Sequence, residues 1–134
     1  KQQRKTVVKR FAICLLTVCS SFTAPLSASA EESSPAALKN VYEASRNMQG
    51  VIKFCIKSGY LGTESDDHIS ALVEMTDTPD VDKSGGNAAE AKGLAGRLVL
   101  DGNEVELASS PLGAEEWCKQ SGEALKQQAA QLPQ

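Results

Sequence analysis

The placement of four cysteines constrains this chain more than any other feature. Cys14 and Cys19 fall early, Cys55 and Cys118 late, and the fate of the first pair decides what the second can do. Lys1 to Arg10 is basic, Phe11 to Phe22 carries no charge, and Pro25 leads to Ala28-Ser29-Ala30, followed by Glu31. That order defines a secretory signal peptide, here predicted over residues 1–30 and cut after Ala30, with Ala28 and Ala30 as its small residues. The apolar stretch is about a dozen residues, short of the roughly 20 needed to span a membrane. A retained short anchor and a lipoprotein signal are the other readings. For the latter, Leu16-Thr17-Val18-Cys19 supplies the Leu and the Cys, but Val18 stands where a small side chain is expected.

Cleavage would leave Cys55 and Cys118 alone in an oxidising compartment, where two thiols have a single possible pairing. A bond between them disfavours the unfolded chain by about 4 kcal/mol on the chain-entropy model, a large share of a small domain's stability. The other reading is two buried free thiols. Redox catalysis wants a Cys-x-x-Cys pair, which this spacing excludes. Structural zinc wants about four ligands, more than two Cys and His68 supply.

Charge separates the chain in the same place. Five of the 14 bases and none of the 17 acids lie in residues 1–30, which leaves nine bases against 17 acids, a net −8, in residues 31–134. That balance disfavours nucleic acid or an anionic membrane as partner, since both need an excess of Lys and Arg. The length of 104 residues predicts one small domain over 31–134.

Within that domain, Glu31 to Ser34 is a polar tail. Ser34-Pro35 is a helix start, a capping hydroxyl followed by proline at the first helical position. Leu38, Val41, Met48, Val51, Ile52, Cys55 and Ile56 recur at helical spacing up to Gly59, with Gly50 an internal weak point. Thr63 or Ser65 caps a second helix with stripe Ile69, Leu72, Val73 and Thr76, and Asp66 and Asp67 complement its dipole. Residues 77–87 form an exposed acidic loop. Ala88 to Ala95 is a short helix weakened by Gly93 and Gly96. Leu98 and Leu100, then Asp101-Gly102, then Val105 and Leu107 give a β-hairpin. Ser109 or Ser110 with Pro111 opens a last helix carrying Ala114, Trp117, Cys118, Ser121, Leu125 and Gln128 on one side, and fraying is expected from about Gln127. The predicted fold is mainly α: a small helical domain with one short β-hairpin, its first and last helices linked by a Cys55–Cys118 disulfide. Large hydrophobes are few, so that bond carries more weight than it would in a richer core.

Three segments taken together, Gly50-Val51-Ile52-Lys53-Phe54-Cys55-Ile56-Lys57, Asp101-Gly102-Asn103 with Leu107, and Ser109-Ser110-Pro111-Leu112 before Cys118, resemble the small secreted enterobacterial YjjA-like proteins, a family of unknown function. The resemblance covers roughly residues 47–128. It implies an exported two-cysteine protein and brings no catalytic residues with it.

Candidate sites are few. Asp80-x-Asp82-x-Ser84-Gly85 has the opening of a calcium loop, with oxygen ligands at alternate positions and then glycine. The closing glutamate should stand at position 91, which is Ala91, while Glu90 is one short, and Pro79 precludes an ordinary incoming helix. A flexible acidic loop is the plainer reading. His68 beside Asp66 and Asp67 could serve as a base or ligand, but no nucleophile can be assigned to it, and an exposed helix-start histidine explains it as well. Glu115 and Glu116 are adjacent on a helix and diverge by about 100°, so they cannot face each other across a glycosidic bond. Trp117 is placed to pack on the disulfide. No cofactor is implied.

The expectation is an exported, periplasmic or secreted bacterial protein without enzymatic activity, which binds an envelope or secreted protein, in one version as an inhibitor or immunity-type protein. An acid-stress or envelope chaperone is one alternative. A small-molecule or calcium binder acting through Asp80, Asp82 and Ser84 is the other.

Overall fold

The computed structural model describes residues 34–132. The predicted leader, with Ala28, Ala30, Cys14 and Cys19, lies outside the described residues. Four helices and a two-stranded antiparallel hairpin follow in the order α1 (Pro35–Lys57), α2 (Glu64–Thr76), α3 (Gly86–Leu94), β1 (Arg97–Leu100), β2 (Asn103–Glu106), a 3-10 turn (Leu107–Ser109) and α4 (Gly113–Ala129).

Helix α1 starts where its cap demands. The Ser34 hydroxyl accepts from the Ala37 N–H at 3.2 Å, and Pro35 lacks a donor that would have no partner there. It ends in a Schellman motif, with Tyr60 N–H donating to Cys55 O and Gly59 N–H to Ile56 O, both at 2.9 Å. The other elements surround this helix. Val51 and Cys55 face the hairpin and α4 in one core cluster with Leu98, Leu107 and Cys118. Ile52 faces α2 and α4 in a second cluster with Ile69, Val73 and Leu125. The Cys55–Cys118 disulfide joins α1 to α4 across a Cα–Cα distance of 5.7 Å, and both cysteines are fully buried. The first and last helices are therefore linked as the cysteine count predicts.

The third side of α1 packs on α3 without large side chains. A methyl group on Gly50 would collide with the Glu90 carbonyl oxygen, and one on Gly93 with the Asn47 carbonyl oxygen and, at 2.6 Å, the Val51 nitrogen. These two glycines, which local propensity marks as weak points, let the helix backbones touch.

Several local expectations are corrected. The last helix is not opened by Ser109 or Ser110. The chain makes a 3-10 turn, bends at Ser110 and turns through Pro111 and Leu112 before α4 starts at Gly113 with φ +73°, and the N-cap Leu112 makes no side-chain capping bond. Helix α4 runs on to Ala129, past the expected fraying point. Helix α3 begins at Gly86, so the loop is shorter than 77–87, and Val81 within it is buried, which anchors a segment read as wholly exposed. On α1, Val41 is exposed and its neighbour Tyr42 is buried instead, lying against Gly86.

Candidate interaction surface

The hairpin is fixed from both ends. Asp101 (φ 49°) and Gly102 (φ 80°) both take left-handed backbone, the type I′ turn whose twist matches two paired strands. The register pairs Leu98 with Val105 and Leu100 with Asn103, so these side chains share one face. At the base of that face Leu98 and Leu107 are 7% and 1% exposed, inside the disulfide cluster. Leu100, next to the turn, and Val105, across from Leu98 on the outer strand, are 54% and 39% exposed. One apolar face thus starts in the core and runs out into solvent on a rigid support. Trp117, Tyr60 and Ala114 pack against the buried end of the cluster.

The outer edge of β1 is held by a residue that the hydrophobic pattern does not reveal. Asn47, 1% exposed in the middle of α1, donates to Arg97 O and to Ala89 O, each at 3.0 Å, and accepts from Val99 N–H at 2.9 Å. Its amide pairs with β1 as the peptide group of a third strand would, and also ties in α3. The available signal was phase: positions 47, 51 and 55 are successive i+4 steps on the buried face of α1. Beside Asn47 a groove of about 530 Å³ opens between α1, α3 and the hairpin tip, with Ala44 and Ala89 among its lining and Glu43, Lys92 and Asp101 at its polar positions.

A charged seam closes α1 on α3. Glu90 accepts from Lys53 Nζ at 2.7 Å and is paired with the Arg46 guanidinium. Burial pushes the Glu90 carboxyl up, but Lys53 and Arg46 together outweigh it and hold the group below its ordinary range. Arg46 also donates to Gln49 at 2.8 Å, and Gln49 reaches Ser70 on α2 at 3.4 Å.

The calcium-loop residues are placed differently from the reading that brought them together. Asp82 Oδ2 and the Ser84 hydroxyl both accept from Lys39 Nζ, at 2.7 and 3.1 Å, and Asp82 Oδ1 accepts from Ser84 N–H at 2.9 Å. The hydrogen bond from Lys39, then those from Ser84, hold the Asp82 carboxyl well below the usual carboxylate range. The Lys39 ammonium bridges Asp82 and Ser84, and Asp80 makes no contribution to this clasp. Among the described residues no three His, Cys, Asp or Glu side chains form a metal-holding group. His68 lines a separate recess of about 380 Å³ with Glu64, Lys119 and Glu123. Glu115 and Glu116 each bond their own i+4 neighbour, Lys119 at 2.6 Å and Gln120 at 2.9 Å, rather than a common point. Among the described residues no helix is long and apolar enough to cross a membrane.

No family model, curated protein or solved structure matches the chain.

Proposed function

We propose that the protein is an exported, non-enzymatic binding domain of the bacterial periplasm or exterior, and that it recognises another protein through the hairpin. The observation that carries this reading is the apolar hairpin face, which leaves the core at Leu98 and Leu107 and continues into solvent as Leu100 and Val105. An exposed apolar surface on a pre-ordered support is what a protein partner uses, because burying it releases water at little ordering cost. An inhibitor or immunity-type protein is one form of this function. Export is supported by the leader pattern and the Cys55–Cys118 bond, and kinship with the YjjA-like proteins rests on the three sequence motifs.

Affinity capture from envelope extract tests it, with the oxidised protein and a Leu100→Ser/Val105→Thr variant as bait. Both substitutions spare the buried Leu98 and Leu107. One stoichiometric partner held by the wild type and lost by the variant is the expected result. A partner held equally by both, or none, overturns it.

The Glu90 seam favours a second reading, an acid-stress chaperone. Protonating Glu90 leaves Arg46 and Lys53 side by side without their counter-charge, which weakens the α1–α3 contact and uncovers apolar surface. Retention of native near-ultraviolet ellipticity at pH 2–3 would remove it.

A further inference from the structure

Of the hairpin's two edges, one is filled and one is open. The bond from Leu107 N–H to Gly96 O, 3.0 Å, sets the phase of the ladder. Leu98 with Val105 and Leu100 with Asn103 are the hydrogen-bonded pairs, and the backbone groups of Arg97, Val99, Glu104 and Glu106 point out of the hairpin. On β1 the Asn47 amide takes that outward edge. On β2 all four residues are exposed; the Glu106 carbonyl opens the 3-10 turn, and among the described residues no strand or side chain takes the outward groups of Glu104 or the Glu106 N–H.

We propose that the β2 edge accepts an extended, basic segment of another protein as an antiparallel third strand, with an apolar residue opposite Val105 and a Lys or Arg opposite Glu106. This rests on the protein-binding reading and specifies its partner. The alternation follows from the pleat: Val105 lies on the apolar face beside Leu98, and Glu104 and Glu106 lie on the other. The two carboxylates are not equally free. Glu104 is held by Lys92 at 2.6 Å, which keeps its carboxyl below the ordinary range, whereas among the described residues Glu106 is paired with Arg97 alone, at 3.7 Å. Glu106 is the carboxylate available to an incoming cation.

The same charges exclude a second copy of this chain. Residues opposite one another in an antiparallel pair share a face, so any register of β2 on β2 that sets Val105 on the apolar face of its counterpart sets glutamate against glutamate. Charge of one sign on an edge strand blocks self-pairing while admitting a strand of the other sign. The hairpin is already ordered by its turn, by Asn47 and by the disulfide cluster, so the ordering cost falls on the incoming segment alone.

The test uses the oxidised, ¹⁵N-labelled protein and a short synthetic peptide of alternating lysine and valine, with a glutamate–valine peptide as control. Binding of the lysine peptide should slow amide exchange at Glu104 and Glu106, and the control should bind at least several-fold more weakly. Glu106→Pro removes the outward N–H at a residue whose φ of −75° already suits proline. It should weaken binding about tenfold or more, with hairpin cross-strand signals retained. Glu106→Gln keeps the N–H and should weaken binding only about threefold, as a cross-strand charge pair would. Equal binding by Glu106→Pro, no binding of the lysine peptide, or a β2-mediated dimer in sedimentation each overturns the proposal. If the peptide fails while capture of a partner still depends on Leu100 and Val105, the edge proposal falls alone; if capture fails too, the protein-binding reading falls with it.

Discussion

Replacing Asn47 probes the joint on which the hairpin's position depends. Asn47→Ala removes three hydrogen bonds and leaves Ala89 O, Arg97 O and Val99 N–H without their partner. A lost bond with its buried partner left unmet costs about 1–3 kcal/mol. The groove beside Asn47 lets water reach part of the gap, so the lower end applies, and the sum is about 3 kcal/mol. In urea, with a slope near 1–1.5 kcal/mol/M for a domain of this size, the midpoint should fall by about 2–3 M. Asn47→Asp gives a sharper test. It keeps an acceptor for Val99 but turns oxygen lone pairs toward two carbonyls, so the folded state disfavours the charged form and raises the carboxyl above its ordinary value near 3.9. The sign follows: the deficit relative to wild type is smallest below about pH 4 and grows as pH rises toward the raised folded value. Paired urea titrations at pH 4 and pH 7 measure this. A loss under 1 kcal/mol for Asn47→Ala, or a smaller deficit for Asn47→Asp at pH 7 than at pH 4, would refute the role given to Asn47.

Glu90→Gln should cost about 2 kcal/mol at pH 7, between the values for exposed and buried ion pairs. Because the folded carboxyl lies below its ordinary value, this contribution is present above about pH 4.3, the ordinary glutamate value, and disappears as pH falls through the lowered one. Urea midpoints of the two proteins should therefore converge in acid. Gly93→Ala raises helix propensity by about 1 kcal/mol, yet it should destabilise by about 3 kcal/mol, because the methyl meets the backbone of α1; a more stable variant in thermal unfolding would contradict the crossing. Reducing the buried Cys55–Cys118 bond should remove about 4 kcal/mol, visible as a matching fall in the urea midpoint with dithiothreitol.

The parts of the fold written in local code were legible. Ser34-Pro35 marks the start of α1, Asp101-Gly102 the hairpin turn, and Cys55 and Cys118, the two cysteines outside the predicted leader, have one way to pair. What depends on tertiary contact was misread. Gly50 and Gly93 have poor helix propensity in isolation and are required where two backbones meet. Asn47 breaks the apolar stripe, so counting hydrophobes passes over it, although its phase with Val51 and Cys55 puts it in the core. Asp82 and Ser84 have the spacing of cation ligands, and the cation they hold is Lys39, supplied by a distant helix. Ser109, Ser110 and Pro111 look like a cap, but the chain turns through Pro111 and Leu112 and α4 begins only at Gly113. The apolar face of the hairpin was visible as alternation, while its division into buried Leu98 and Leu107 and exposed Leu100 and Val105 was not, since only packing on α1 and α4 decides where the core stops.

Amide shift mapping shows whether the hairpin is the binding element, as proposed. The oxidised, ¹⁵N-labelled protein is titrated with the partner recovered by capture. Shifts and slowed exchange should concentrate between Leu100 and Glu106. Changes confined to α2 or the 77–85 loop, with the hairpin amides unmoved, would contradict that proposal.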